Sequence, residues 1–200
     1  MLLVLLISLS GYSQSQFTRE IAVHREEYKA EFLKSAKSPL KKKDLQYLRF
    51  FEPDSTYRVE ATVLRTPDAQ PFELPTYDGQ KKMYVQYAVL AFQLNGKSIQ
   101  LSIYRSLQLA RLPQYRDYLF LPFKDLTNGR ETYGGGRYMD LRLGDIKEGK
   151  LILDFNKAYN PYCAYSDGYA CPIPPRENHL AVRIPAGEKN YELRRGRPRG

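Results

Sequence analysis

Between Asp125 and Asn178 the sequence concentrates residue types that do chemistry: DLTNGRETYGGGRYMD, then LDFNKAYNPYC, then AYSDGYACPIPPREN. Gly134, Gly135 and Gly136, followed by Arg137, suggest a cradle for an anion. Glycine lets backbone N–H groups approach closely, and a guanidinium grips an oxyanion through two donors. The spacing is neither GxGxxG nor GxxxxGK[ST], and a strand pattern follows where those motifs need a helix. The competing reading is a tight turn or bulge entering a strand, where glycine supplies freedom in φ. Asp140, Asp154 and Glu177 are the carboxylates a hydrolase would use, provided two of them face each other across a cleft. Otherwise mid-strand carboxylates such as Asp140 and Asp154 need ion-pair partners, for which Arg137, Arg142 and Lys157 are candidates. Asp125, Thr127, Asn128 and Glu131 gather oxygen donors, but not at EF-hand spacing, and Asn128–Gly129 reads more simply as a turn.

Cys163 and Cys171 are the only two cysteines. In an exported chain that count reads as one disulfide closing a short loop. Two alternatives stand beside it: a zinc site shared with His179, whose spacing matches no familiar finger, and a thiol nucleophile activated by His179. His24, the other histidine, falls on an apolar helical face and reads as a packing residue. No complete catalytic or cofactor motif occurs, so no cofactor is expected.

These residues must be positioned by a mainly extended scaffold. Phe17, Ile21, His24, Tyr28 and Phe32 recur at helical steps and predict one amphipathic helix over Phe17–Lys37, stopped by Ser38 and Pro39. A short helical or turn segment then leads from Lys41 to Leu48. After Pro53 the period becomes two, with Tyr57, Val59, Ala61 and Val63 on one face. Further strands are expected over Tyr84–Leu94, Ile99–Ile103, Tyr118–Phe123, Tyr138–Leu143, Lys150–Phe155 and His179–Ile184. Pro67–Pro75, with three prolines, is a loop or an edge excursion. Asn95–Gly96 is the pair a type I′ hairpin turn requires. Helices and strands do not alternate, so the fold is mainly β within an α+β class: an antiparallel barrel or sandwich of about seven strands with an N-terminal helix.

Length and charge narrow the class further. At 200 residues the chain is one domain able to bury a full core. The formal net charge is +9, and it falls to +5 without Arg194, Arg195, Arg197 and Arg199. Residues 194–200 read as a basic disordered tail, leaving 15–193 as the globular domain. The apolar run Leu2–Leu9, followed by small and polar residues, reads as a secretory signal peptide over 1–14, cleaved near Ser13 or Gln14. It is too short for a membrane span, which takes about 20 apolar residues. The mature protein is therefore expected in the periplasm or outside the cell. Arg105, Arg111, Tyr115 and Arg116 interleave as on nucleic-acid surfaces, but an exported protein rarely meets that partner, so none is expected. No sequence feature sets an oligomeric state.

The order PF-D-TNG-TYGGGRYMDL, LDFNKAYNPYCAY, CPIPP-EN-L and IPAGEK resembles the bacterial and archaeal family catalogued as domain of unknown function 1684. The likeness runs from Ser38, Pro39 and Leu40 to Glu188 and Lys189. It implies no activity, substrate or cofactor. It marks Tyr133 to Arg137, Asp154 to Asn156, Asn160, Cys163, Cys171, Pro172, Pro174, Glu177 and Asn178 as signature positions, with Lys157 standing where relatives are expected to carry Arg.

Together these observations give a working expectation. A secreted β-rich domain captures a small polar or anionic ligand with Arg137, the amides of Gly134, Gly135 and Gly136, Asn156, Asn160, Tyr159 and Glu177, the tyrosines stacking on any sugar-like face. The alternatives are a hydrolase acting through carboxylates of the same cleft and a purely structural domain.

Overall fold

A computed structural model describes residues 8–192, with side chains from residue 14 onward. The basic tail over 194–200 and the first seven residues of the expected signal peptide lie outside the described residues. Helix α1 spans Ser8–Lys34, so it begins upstream of Phe17 and runs through the expected cleavage point. Phe17, Ile21 and Phe32 of the predicted face are buried, and His24 and Tyr28 are half-buried. The charged remainder faces solvent, as an amphipathic stripe dictates. Lys42–Tyr47 forms a short 3-10 helix.

Seven strands follow: β1 (Arg58–Arg65), β2 (Phe72–Pro75), β3 (Lys81–Leu94), β4 (Lys97–Ser106), β5 (Tyr118–Phe123), β6 (Arg137–Arg142) and β7 (Lys150–Asp154). Every pairing is antiparallel, in the order β6-β5-β4-β3-β1-β7, with β2 beside β3. The sheet curls into a half-barrel with α1 set against it. At the β3–β4 hairpin Asn95 and Gly96 both have positive φ, 51° and 73°, as the type I′ turn demands. The proline-rich segment over 67–75 does contain an edge excursion, which is β2.

One expected strand does not form. Leu180, Val182 and Ile184 do turn inward, and Ile184 is fully buried. Yet it only runs beside the chain leaving β5, through the isolated bridge of Lys124 with His179 and backbone hydrogen bonds from Leu180 to the Lys124 carbonyl and from Leu126 to that of Val182. The carbonyl of Ile184 goes to the Arg137 side chain and its N–H to Asp125, so side chains occupy the groups a ladder would use.

The core lies inside the half-barrel, where Leu90, Leu101, Ile103, Leu119, Leu121, Leu153 and Phe155 are buried. Each such side chain contributes roughly 1.5–3 kcal/mol by leaving water. A second cluster, Phe32, Leu40, Leu48, Tyr165 and Tyr191, seats α1, and a third, with Tyr84, Phe120 and Tyr138, covers the sheet's outer face.

Strands β6 and β7 are the two edges of the half-barrel. Tyr138 and Tyr159 exchange backbone hydrogen bonds of 2.8 and 3.0 Å, so the chain leaving β7 is sewn to the start of β6. Beyond that bridge no ladder joins β6 to β7 among the described residues. α1 covers this seam, and a cavity lies beneath it.

Candidate functional site

Alternation along β6 sets its side chains on two faces, and the cavity borders Tyr138, Met139, Asp140 and Leu141. Arg137, Met139 and Leu141 point into the core, while Tyr138 and Asp140 point outward beneath α1. The cavity, about 970 Å³, is bounded by His24, Tyr28 and Phe32 of α1, by Tyr138 and Asp140 of β6, by Ile152 and Asp154 of β7, and by Lys157, Tyr159 and Tyr162 of the following segment. It is of the size that holds small-molecule ligands.

Asp140 forms its floor. Tyr159 and Tyr118 both donate hydroxyl protons to its Oδ1, at 2.6 and 2.7 Å. Among the described residues no hydrogen bond reaches its Oδ2. Although Asp140 opens to the cavity, protein surrounds it closely enough that desolvation raises its pKa; the two tyrosines and Arg142 pull the other way. Burial pushes the phenols of Tyr118 and Tyr159 well above their usual range, so both remain protonated donors. Asp154 stands on the wall. Its Oδ1 accepts from the N–H and side-chain amide of Asn156, at 3.0 and 2.9 Å. Its buried Oδ2 lacks a hydrogen bond among the described residues, and Arg58 Nε approaches it only to 4.0 Å. His24 is held below the usual imidazole range by burial and by Lys157, so it is neutral at pH 7.

Behind the cavity lies Glu188, fully buried. It accepts from Tyr165 at 2.7 Å, Tyr28 at 2.9 Å and the Asn160 N–H at 2.9 Å. Desolvation dominates even so, and lifts its pKa to about 7.

The expected anion clamp is placed differently. Arg137 is fully buried and pairs with Asp125 at 2.7 Å. It also donates to the carbonyls of Ile184, at 2.9 Å, and Ala186. A guanidinium so surrounded is closed to a ligand. Asp125, weighed above as a cation ligand, is committed to Arg137 and to the N–H groups of Thr127 and Ile184. The glycines make a tight strand entry. Gly136 has φ 97°, and a Cβ there would lie 2.7 Å from the Phe123 carbonyl; the Gly135 carbonyl accepts from Tyr77 at 2.8 Å. Gly134 precedes them in the same turn.

Asn156 and Asn160 are buried splints. Asn156 bonds both backbone groups of Asp54, and Asn160 donates to the Lys189 carbonyl at 2.8 Å. Glu177 is exposed, accepts from Tyr104 at 2.8 Å, and does not border the cavity. Asn178 fills a gap between β4 and β5, bonding Ser102 on both sides and the Pro122 carbonyl.

Of the expected ligand-binding residues, then, the cavity presents Tyr159 alone. Of the carboxylates it presents Asp140 and Asp154. Tyr28, Tyr118 and Glu188 were not anticipated as site residues, and Lys157 was singled out only as a candidate ion-pair partner of the mid-strand carboxylates; for Tyr28 the helical stripe was the signal.

Cys163 and Cys171 form a disulfide with Cα atoms 6.3 Å apart. Tyr77 ties it to the glycine turn, its N–H on the Cys171 carbonyl and its hydroxyl on that of Gly135. His179 bonds the Pro174 carbonyl. Among the described residues no three His, Cys, Asp or Glu side chains are placed to hold a metal ion, and no helix is long and apolar enough to cross a membrane.

No curated protein sequence matches the chain. The solution NMR structure of the uncharacterized protein from gene locus rrnAC0354 of Haloarcula marismortui is similar, with a TM-score of 0.67 and 36% identity over 89% of this chain and 96% of that one. The model of the family described as protein of unknown function (DUF1684) matches residues 43–189, so the chain belongs to that family.

Proposed function

We propose that this domain binds a small polar ligand in the cavity between α1 and the β6–β7 seam. The observation that carries the reading is Asp140: two tyrosines fix one of its oxygens, the other takes no hydrogen bond among the described residues, and the residue borders a cavity large enough for a ligand. Pre-set polar groups on otherwise aromatic walls are what ligand sites require. Arg137 and the glycine turn act on this site indirectly, by holding the strand that carries Asp140. The disulfide supports the expectation of an oxidising compartment, periplasmic or extracellular.

A hydrolase is the second reading. The raised pKa of Asp140 suits a general acid, and Asp154 borders the same space. Glu177 is outside it.

A thermal-shift screen of sugars, polyols, amines and carboxylic acids tests the binding reading. A ligand that raises the midpoint of the full chain should lose that effect in Ile152→Trp, which places a bulkier ring at an exposed position of the cavity lining. A shift that survives this change places the ligand elsewhere and contradicts the reading.

A further inference from the structure

Glu188 joins three separated parts of the chain at one point. Its buried carboxyl meets the Tyr28 hydroxyl of α1, the Tyr165 hydroxyl of the loop that the disulfide closes, and the Asn160 N–H of the segment after β7. No cation pairs with that carboxyl among the described residues. Arg137, paired with Asp125, reaches only the backbone carbonyl of Glu188, at 3.5 Å. Arg25 lies over the Phe50 ring and Lys189 over that of Phe51. A buried carboxylate without a positive partner is costly, so burial favours the neutral acid.

The proton count requires the same form. The hydroxyls of Tyr28 and Tyr165 lie 2.8 Å apart, Tyr28 lies 2.9 Å from Oε2, and Tyr165 lies 2.7 Å from Oε1 and 2.8 Å from Oε2. Tyr28, Tyr165 and the carboxyl group thus close a ring of three links. If both hydroxyls donate to an ionised Glu188, the link between them holds no proton and sets two oxygens against each other. The acid supplies the third proton: Oε1–H donates to Tyr165, Tyr165 to Tyr28, and Tyr28 to Oε2, which also accepts from Asn160 at 2.9 Å. Each link of the ring then carries one proton.

We infer that Glu188 is a carboxylic acid in the folded chain whose proton latches α1 over the cavity, and that loss of this proton frees the stretch of α1 around Tyr28. The helix is the side that yields. Glu188 is knit to the body by its N–H on the Ala158 carbonyl, at 2.8 Å, and Tyr165 lies within the disulfide loop. Tyr28 and Phe32 border the cavity, so their release uncovers it. The latch acts whether or not the cavity holds a ligand. Within the ring only Glu188 titrates near neutrality: desolvation raises it to about 7 and pushes the Tyr28 and Tyr165 phenols well above their usual range. Tyr159, Tyr162 and Tyr191 around the ring are raised as well. His24, one turn before Tyr28, is held low by burial and by Lys157.

Limited trypsin digestion of the full chain at pH 5 and pH 8, with rates scaled to those on unfolded casein at each pH, tests the latch. Cuts after Arg25 and Lys29 should precede cuts in the sheet and run about tenfold faster, or more, at pH 8 than at pH 5. Glu188→Gln, whose amide keeps a donor and an acceptor at every pH, should lose this dependence. Tyr28→Phe, which breaks the ring and leaves Glu188 in place, should be cut faster than the parent already at pH 5. Equal parent rates at the two pH values, the same acceleration in Glu188→Gln, or a Tyr28→Phe rate no higher than the parent's would each overturn the latch. First cuts spread over β3 and β4 would also overturn it, because they report global unfolding. If Glu188→Gln does not fold, the carboxyl 13C signal of Glu188 in the unaltered chain decides. Its titration should coincide with the rise in α1 cleavage near pH 7, and titration in the ordinary carboxylate range would contradict the inference.

Discussion

Arg137 and Asp140 stand three residues apart on one strand and face opposite ways. Arg137 turns inward to a carboxylate and backbone carbonyls and is fully buried; Asp140 turns outward to two tyrosines and a cavity. Both are held firmly; Arg137 keeps an unpartnered Nε sealed in the core, whereas Asp140 leaves an oxygen over beside the cavity. A charged group closed on all sides specifies structure, whereas one fixed on a single side has capacity left for something else.

The contrast breaks most visibly on the Arg137 side. Arg137→Met strands Asp125 in the core, and a buried charge deprived of its partner costs about 3–5 kcal/mol. Urea unfolding should show that loss. A variant as stable as the parent would mean that the Asp125 pair is not the structural centre. Glu188 gives the next largest effect. Folded, it holds a proton up to a pKa of about 7; unfolded, it releases it near its ordinary value of 4.5. Between these the native state binds the extra proton, so this group's contribution is complete below about 4.5 and is lost as pH rises through about 7. The shift corresponds to about 3 kcal/mol. Urea midpoints at pH 5 and pH 8 should therefore differ less in Glu188→Gln than in the parent chain, and an unchanged difference would remove Glu188 from the account.

Reducing the disulfide ranks third. Opening so short a loop should cost roughly 2.5 kcal/mol, with thermal melts in the presence and absence of reductant as the measurement. The smallest stability effect belongs to Asp140→Asn. An amide oxygen still accepts from both tyrosines, so the loss should stay within about 1 kcal/mol, while ligand binding falls at least tenfold. Low stability cost with high binding cost is the signature that separates this residue from Arg137.

Much of the scaffold was legible in the sequence because period-two and helical patterns report which side of an element is apolar. The β3–β4 hairpin followed from Asn95–Gly96 and the α1 face from Phe17, Ile21 and Phe32. The same reasoning misjudged Ile184, because the inward pattern is real but Arg137 and Asp125 take its backbone groups. Arg137 looked like a ligand clamp for a related reason. Arginine is rarely buried, and its partners at 125, 184 and 186 cannot be assigned from spacing. Asp140 was singled out only as a carboxylate, since its surroundings exist once α1 brings Tyr28 over β6. Glu188 sits in a loop without periodicity, and nothing local marks it as buried. Asn156, Asn160 and Asn178 stood out by type, yet a splint and a ligand contact have the same sequence appearance.

The most direct measurement is a set of amide 1H–15N spectra of the full chain, titrated with whichever compound of the thermal-shift screen raises its midpoint. Perturbations should centre on Asp140, Leu141, Lys157 and Tyr159 and leave Gly135, Gly136 and Arg137 almost unmoved. Shifts that instead centre on the glycine turn and Arg137 would contradict the claim that the cavity, and not the buried arginine, receives the ligand.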